Sequence, residues 1–167
     1  VREAELQEVR RAFENEIPEV ASGLVEIHAS ARLAGTRTKI AVRSSDPGVD
    51  CIGVCVGENG ERIRAIVVEL GGERIDFVLF SDNEVVFVGN ALQPLEIEEL
   101  ILCPRVGRMF AVIPSDQRPL AAELGNSHVR LASALTGWEI LIFTEENLRF
   151  TLDRAISNLA MLPAMNE

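Results

Sequence analysis

The stretch Gly57-Glu58-Asn59-Gly60-Glu61-Arg62-Ile63-Arg64 decides the interpretation of the whole chain. It places two glycines three positions apart, between two apolar segments with helical spacing. Glycine adopts backbone conformations with positive φ at no steric cost, so this spacing predicts a tight turn between two helices. Backbone N–H groups at such a turn, at the start of the second helix, form a binding site for an anion such as phosphate.

A second stretch repeats the first and differs from it at the turn. It reads Glu123-Leu124-Gly125-Asn126-Ser127-His128-Val129-Arg130-Leu131-Ala132, and its Val129-Arg130 matches Ile63-Arg64. A self-match at this distance in a chain of 167 residues predicts two domains of one fold. On this alignment Glu123 and Asn126 occupy the positions of the two glycines, and Gly125 lies inside the loop. We therefore expect the second loop to be a degraded copy of the first.

The charge of the chain argues against a general nucleic-acid binder. The formal net charge is −10, whereas affinity for a polyanion normally comes from Lys and Arg. Residues 27–45 nevertheless contain Arg32, Arg37, Lys39 and Arg43 and no acidic residue. This local basic hairpin on an acidic body predicts a local, specific binding site, and a solvated sheet face is an equally open interpretation.

Cysteines and motifs limit the chemistry further. The three cysteines Cys51, Cys55 and Cys103 are an odd number, which favours a reducing, cytoplasmic compartment and buried thiols rather than a metal site. The sequence contains no phosphate-binding Gly-x-x-x-x-Gly-Lys and no nucleophile–His–acid pattern, so we expect no enzyme, no metal and no cofactor. No segment is long and apolar enough to cross a membrane. Because the chain begins at Val1 rather than Met, we expect it to be part of a longer protein.

Hydrophobic periodicity predicts the same order of elements in both halves: helix, strand, strand, helix, helix, strand. In the first half these elements cover residues 3–16, 24–31, 38–42, 49–56, 61–70 and 74–80. In the second half they cover residues 83–92, 95–102, 109–113, 115–123, 127–135 and 138–143, followed by a helix over 145–162. This order predicts an α+β fold in which each half is a three-stranded sheet covered on one face by helices. We divide the chain into domains 1–81 and 82–144 and a C-terminal helix 145–167, and expect the two domains to pack rigidly together.

Several phrases of the sequence resemble one known family, in the family's order. They are Glu16-Ile17-Pro18-Glu19-Val20, Thr36-Arg37-Thr38-Lys39-Ile40-Ala41-Val42, Asp46-Pro47-Gly48-Val49-Asp50, Glu69-Leu70-Gly71-Gly72-Glu73-Arg74-Ile75-Asp76, Val129-Arg130-Leu131-Ala132 and Leu135-Thr136-Gly137-Trp138. The order of elements resembles two tandem prokaryotic-type (type II) KH domains. The phrases resemble the tandem KH region of the bacterial transcription factor NusA, over roughly residues 8–145.

The resemblance implies an RNA-binding module of a factor that acts in transcription elongation, termination and antitermination. It implies single-stranded nascent RNA as a partner, with RNA polymerase and other elongation factors contacted through the full-length protein, and we expect a monomer. In a KH domain the loop glycines bring backbone amides against the RNA backbone. The residues expected at RNA are Gly57, Glu58, Asn59, Gly60, Arg62 and Arg64 in the first loop, Arg37, Lys39 and Arg43 on the hairpin, and Gly125, Asn126 and Arg130 in the second copy.

A protein-interaction module on the same fold is the alternative interpretation. The family usually places Lys in the loop, whereas this chain has Glu58, and a carboxylate beside a phosphate is unfavourable by about 1 kcal/mol in water. We therefore expect weak RNA binding at the first loop. The acidic second domain could instead shield the first, and helix 145–162 could dock a partner or simply pack. The charge around Gly57–Gly60 distinguishes these interpretations, because a positive groove predicts RNA and a negative one predicts protein contact.

Overall fold

Two three-stranded sheets organise the computed structural model, which describes residues 3–160. The first sheet has the order β1 (Glu26–Leu33), β2 (Arg37–Arg43), β3 (Arg74–Leu79). The second sheet has the order β4 (Glu99–Cys103), β5 (Arg108–Ile113), β6 (Glu139–Thr144). In both sheets the first strand runs antiparallel to the central strand and the third runs parallel to it. The shared order and directions confirm the predicted α+β fold of two repeated units.

Seven helices connect and cover these strands in the described residues. They are α1 (Glu3–Glu16), α2 (Pro18–Ala21), α3 (Cys51–Val56), α4 (Glu61–Glu69), α5 (Glu84–Leu92), α6 (Arg118–Thr136) and α7 (Glu145–Ala160). Local sequence fixes several of their starts. Asp50 caps α3 by accepting from the Gly53 N–H at 3.0 Å, and Asn83 caps α5 by accepting from the N–H groups of Val85 and Val86. The last two residues of the helix predicted over 145–162 lie outside the described residues.

One face of the first sheet packs against α1, α3 and α4. Ile40 and Val42 point to this face because alternate residues of a strand share a side. They meet Phe13 of α1 and Ile66 of α4, and all four side chains are completely buried. Burial of each such side chain contributes about 1.5–3 kcal/mol, so this cluster holds the helices that flank the first loop.

The opposite face of the first sheet packs against α5 and α6, which also cover the second sheet. Ala31, Ala41 and Val78 of the first sheet and Met109 of the second belong to one buried cluster with these helices. Alanines on this face let a helix approach the sheet closely. Helices of the first half cover one face of its sheet, as predicted, and α5 and α6 of the second half cover the other face. The boundary near residue 81 stays a prediction, and we propose to keep it there because α5 begins the second helical layer.

The largest differences between predicted and observed elements lie in the second half of the chain. The strand predicted from residue 95 begins at Glu99, because the chain is still turning out of α5 where the Leu95 N–H donates to the Leu92 carbonyl at 3.0 Å. The helices predicted over 115–123 and 127–135 form one element, α6, interrupted at Gly125 with φ 69° and ψ 179°. Between residues 3 and 160 no helix combines the length and the apolar character needed to cross a bilayer.

Candidate nucleic-acid interface

The first loop joins α3 to α4, and three of its residues have unusual backbone angles. Gly57 has φ 78° and ψ 172°, a combination that glycine alone adopts readily. Asn59 (φ 53°, ψ 22°) and Gly60 (φ 74°, ψ 20°) are left-handed. The Gly60 N–H donates to the Gly57 carbonyl at 3.1 Å, which closes the turn directly before α4. The tight turn predicted between two helices is confirmed.

Acidic side chains surround this loop. The surface beside it is lined by the carboxylates of Asp50, Glu58 and Glu61 and by one guanidinium, that of Arg62. Glu58 and Glu61 are exposed, as is Arg64 one turn further along α4. The local charge is therefore negative, which agrees with weak RNA binding and is the result expected of a protein-contact surface.

Arg62 is turned back into the protein. Its Nη1 donates to Glu19 Oε2 at 2.8 Å and to the Val54 carbonyl at 2.9 Å. The side chain is 26% exposed and that of Glu19 is 29% exposed. A hydrogen bond from its own backbone N–H, and then the bond from Arg62, hold the pKa of Glu19 below its ordinary value. Sequence reasoning missed Glu19, which lies 43 residues from Arg62 and carries no local signal of the contact.

The aliphatic stem of Arg62 lies directly over Gly57. A Cβ atom at Gly57 would stand 2.7 Å from Cγ of Arg62 and 2.9 Å from its Cβ. At Gly60 the same addition would meet only Cγ2 of Ile63, at 3.7 Å. The first glycine is therefore required by a neighbouring side chain as well as by its backbone angles, and the second by its angles alone.

Arg37 and Lys39, which the sequence suggested as phosphate contacts, lie on β2, between the first sheet and α6. Lys39 is 1% exposed, and its Nζ lies 3.1 Å from Asp76 Oδ2. Arg37 Nη1 lies 3.5 Å from the same oxygen, and its side chain is 14% exposed. Burial lowers the pKa of Lys39, and the Asp76 carboxylate opposes that shift. A solvated face at these residues was the wrong expectation, because α6 packs over them.

The other two basic residues of the hairpin differ from each other. Arg32 donates hydrogen bonds to Glu73 and Glu8. The Glu73 side chain has no exposed surface and also accepts a hydrogen bond from the Thr38 hydroxyl. Arg43 remains on the surface, where it pairs with Glu26 at 3.1 Å. Of the three hairpin residues expected at RNA (Arg37, Lys39 and Arg43), Arg43 is thus the one that the structure leaves well exposed.

The second loop keeps one glycine and loses two residues. Gly125 (φ 69°, ψ 179°) reproduces the backbone of Gly57 (φ 78°, ψ 172°), so Gly125 is the counterpart of the first glycine. The alignment that put Glu123 there is therefore wrong. Gly57 precedes Ile63 by 6 positions and Gly125 precedes the matching Val129 by 4, a loss of 2. Within α6 no other residue has positive φ, so the left-handed pair at the tip of the first loop is missing.

The residues around this shortened loop serve the domain contact. His128 is 1% exposed, and its Nε2 lies 3.0 Å from the Leu92 carbonyl. Its Nδ1 lies 3.4 Å from Nη1 of Arg37. Asn126 and Arg130 are exposed, and Arg130 lines a cleft of about 150 Å³ between the two halves.

Two of the three thiols are buried, and the third, that of Cys103, is partly exposed. Cys51 and Cys55 are buried, as expected, and burial raises the pKa of Cys55 to about 12. Across the described residues 3–160, no group of three His, Cys, Asp or Glu side chains is placed to hold a metal ion.

Comparison with known proteins identifies the family of the half that contains this loop. A model described as NusA-like first KH domain matches residues 3–80, the half that contains the intact loop. The chain belongs to the NusA-like KH family. The protein named transcription termination/antitermination protein NusA is 44% identical over 141 residues in Bacillus subtilis and 42% over 148 residues in Thermus thermophilus. The matches cover 84% and 89% of this chain but 38% of each relative, so the chain spans well under half the length of either NusA.

The NusA of Mycobacterium bovis is 43% identical over 133 residues, 79% of this chain and 38% of that protein. Among solved structures, the one described as "Crystal structure of APE1850" superposes with a TM-score of 0.57 at 21% identity, covering 80% of this chain and 96% of the other. That likeness concerns the fold alone. Within this NusA-like chain the family model ends at residue 80, just before the half whose loop is shortened.

Proposed function

We propose that this chain is the RNA-binding module of a NusA-like transcription termination and antitermination factor. The observation that carries the proposal is the left-handed Gly57–Gly60 loop at the start of α4, inside the matched residues 3–80. Its partner is single-stranded nascent RNA. RNA polymerase and other elongation factors are contacted by the full-length protein in the cytoplasm, and the role of the module is binding rather than catalysis.

The loop supports RNA through its backbone and the adjoining helix. Its amides and the start of α4 face the sugar-phosphate backbone, as in other KH domains. Arg64 supplies an exposed cation one turn along, and the half-buried side chains of Val54, Val56 and Ile63 offer apolar contacts to bases. Since Glu58 and Glu61 oppose the phosphates and Arg64 offers one exposed cation beside the loop, we expect weak binding with a shallow salt dependence, a slope of about −0.7 for one phosphate contact on a single strand.

The test is a titration of labelled single-stranded RNA at low and moderate salt with three proteins: wild type, Gly60→Asp and Gly60→Asn. At Gly60 an added Cβ stands at an ordinary contact distance of 3.7 Å from Cγ2 of Ile63, both substitutions carry the same left-handed strain, which Asn and Asp tolerate best, and they differ in one negative charge. We expect the Asp variant to lose binding and the Asn variant to keep most of it. Equal binding by the wild type and the Asp variant would place RNA elsewhere on the molecule.

Protein contact is the second candidate function, and the acidic lining of the loop is the observation from which it is argued. A chain that binds no RNA at low salt, where phosphate contacts are strongest, would contradict the RNA proposal. Binding of the same chain to purified RNA polymerase, abolished by removal of Glu58 and Glu61 together, would then support the protein-contact surface.

A further inference from the structure

We propose that Arg62 is a positioning residue that holds the first loop in shape through Glu19 and Val54, and that it is not a phosphate ligand. The proposal rests on the proposed function of the loop and assigns one of its arginines a different task. Arg62 follows the second glycine by two positions, where a cation would ordinarily be expected to reach the RNA backbone.

The hydrogen bonds of Arg62 join three helices at one point. Its backbone belongs to the first turn of α4, its Nη1 reaches the carbonyl of Val54 near the end of α3, and it also reaches the carboxylate of Glu19 in α2. The last carbonyls of a helix lack partners within that helix, so the bond to Val54 satisfies a group that the loop would otherwise leave open. The contact fixes the distance between the two helix ends that the loop must bridge.

The missing side chain of Gly57 leaves the space that the Arg62 stem occupies. The Arg62 stem fills the space above Gly57 so closely that even a methyl group there would stand 2.7 Å from its Cγ. A guanidinium swinging out to a phosphate would leave Glu19 and the Val54 carbonyl behind and uncover this glycine. Arg64, by contrast, lies two residues further along α4, is exposed, and reaches solvent without breaking any such contact.

Glutamate replacements distinguish the two roles because they act in opposite directions. If Glu19 competes with phosphate for Arg62, Glu19→Ala frees the cation and raises RNA affinity. If Glu19 positions Arg62, Glu19→Ala loosens the loop and lowers affinity. Glu61→Ala is the matched control, because it removes one carboxylate beside the loop and leaves the hydrogen bonds from Arg62 to Glu19 and Val54 in place, and we expect it to raise affinity slightly.

The experiment measures single-stranded RNA affinity over a range of salt for the wild type, Arg62→Met, Arg64→Met, Glu19→Ala and Glu61→Ala, with hydrogen exchange of the amides at 57–61. We expect Arg62→Met to weaken binding about tenfold, the factor for one charge-assisted hydrogen bond, with an unchanged salt slope. Arg64→Met should reduce the slope by about 0.7, the value for one phosphate contact on a single strand. Loop amides should exchange faster in Arg62→Met and Glu19→Ala.

A slope reduced by Arg62→Met, together with tighter binding by Glu19→Ala than by Glu61→Ala, would overturn the proposal and make Arg62 a phosphate ligand. If the wild type binds no RNA, the proposed function fails and hydrogen exchange alone decides the positioning role. Unchanged exchange at 57–61 in both Arg62→Met and Glu19→Ala would then reject it.

Discussion

The two glycines of the first loop have different requirements although the sequence presents them as a pair. Gly57 adopts a backbone combination reserved for glycine and lies under the Arg62 stem, whereas Gly60 is left-handed and an added Cβ there would meet Ile63 at an ordinary contact distance of 3.7 Å. We expect Gly57→Ala to reduce the free energy of unfolding by at least about 1–3 kcal/mol, and Gly60→Asn to reduce it by much less. Urea denaturation of both variants measures the difference. Equal losses would show that backbone angles alone govern this loop.

Burial also separates the arginines of the basic hairpin. Arg32 pairs with Glu73, a carboxylate with no exposed surface, and Arg43 pairs with Glu26 in solvent. Arg32→Met strands a buried charge and should cost about 3–5 kcal/mol of unfolding free energy. Arg43→Met should cost less than about 1 kcal/mol. Chemical denaturation of the two variants provides the comparison, and a small loss for Arg32→Met would mean that Glu73 finds another partner.

These residues also mark the limit of sequence reasoning at this scale. The positions of Gly57 and Gly60 predicted the first loop correctly, because glycine spacing reports backbone angles locally. The environments of Arg32, Lys39 and Arg62 were not predictable, since their partners are far away in the chain. The sequence does not distinguish an arginine that binds a distant carboxylate from one that faces solvent.

Among the elements, α6 consists of two helical segments, and the non-helical backbone of Gly125 separates them. Sequence periodicity found both of its segments and most strands, since each buries a regular apolar face. It misaligned the second loop because a two-residue deletion keeps the flanking pattern and moves only the glycine. The matching backbone angles of Gly57 and Gly125 reveal the deletion.

The contact of α6 with α5 should make stability depend on pH through His128. Its Nε2 must donate, because the Leu92 carbonyl only accepts, so a neutral ring leaves Nδ1 to accept from Arg37. Burial lowers the pKa of His128 below its ordinary value of 6.5 in the folded state, and the nearby cations of Lys39 and Arg37 lower it further. The Asp76 carboxylate opposes this shift without cancelling it. The unfolded state therefore binds more protons as the pH falls below about 6.5, and stability should drop by up to about 1.4 kcal/mol per pH unit.

A His128→Asn variant should lack this component although it is less stable overall. The measurement is the urea unfolding free energy of both proteins between about pH 7.5 and pH 5.5, above the range in which ordinary carboxylates titrate. The wild type should lose its advantage over the variant as the pH falls. A constant difference would mean that the ring keeps an ordinary pKa at the interface.

At the scale of the whole molecule, one buried cluster crosses both halves, in addition to the cluster between the first sheet and α1, α3 and α4. Sheet residues Ala41 and Val78 of the first half and Met109 of the second share α5 and α6 as their covering layer. The two halves should therefore unfold in one transition, and the fluorescence of Trp138, the single tryptophan, should coincide with the loss of helical circular dichroism. Residues 1–81 alone should expose the α5 and α6 side of the first sheet and be markedly less stable. Two separated transitions would contradict the shared core.

The burial of Lys39 has a practical consequence for labelling. It is the only lysine in the sequence, and the folded protein leaves 1% of its side chain accessible. An amine-directed dye or cross-linker therefore meets no accessible lysine while α6 stays docked on the first sheet. Modification of Lys39, detected by mass spectrometry, therefore reports the opening of the two halves.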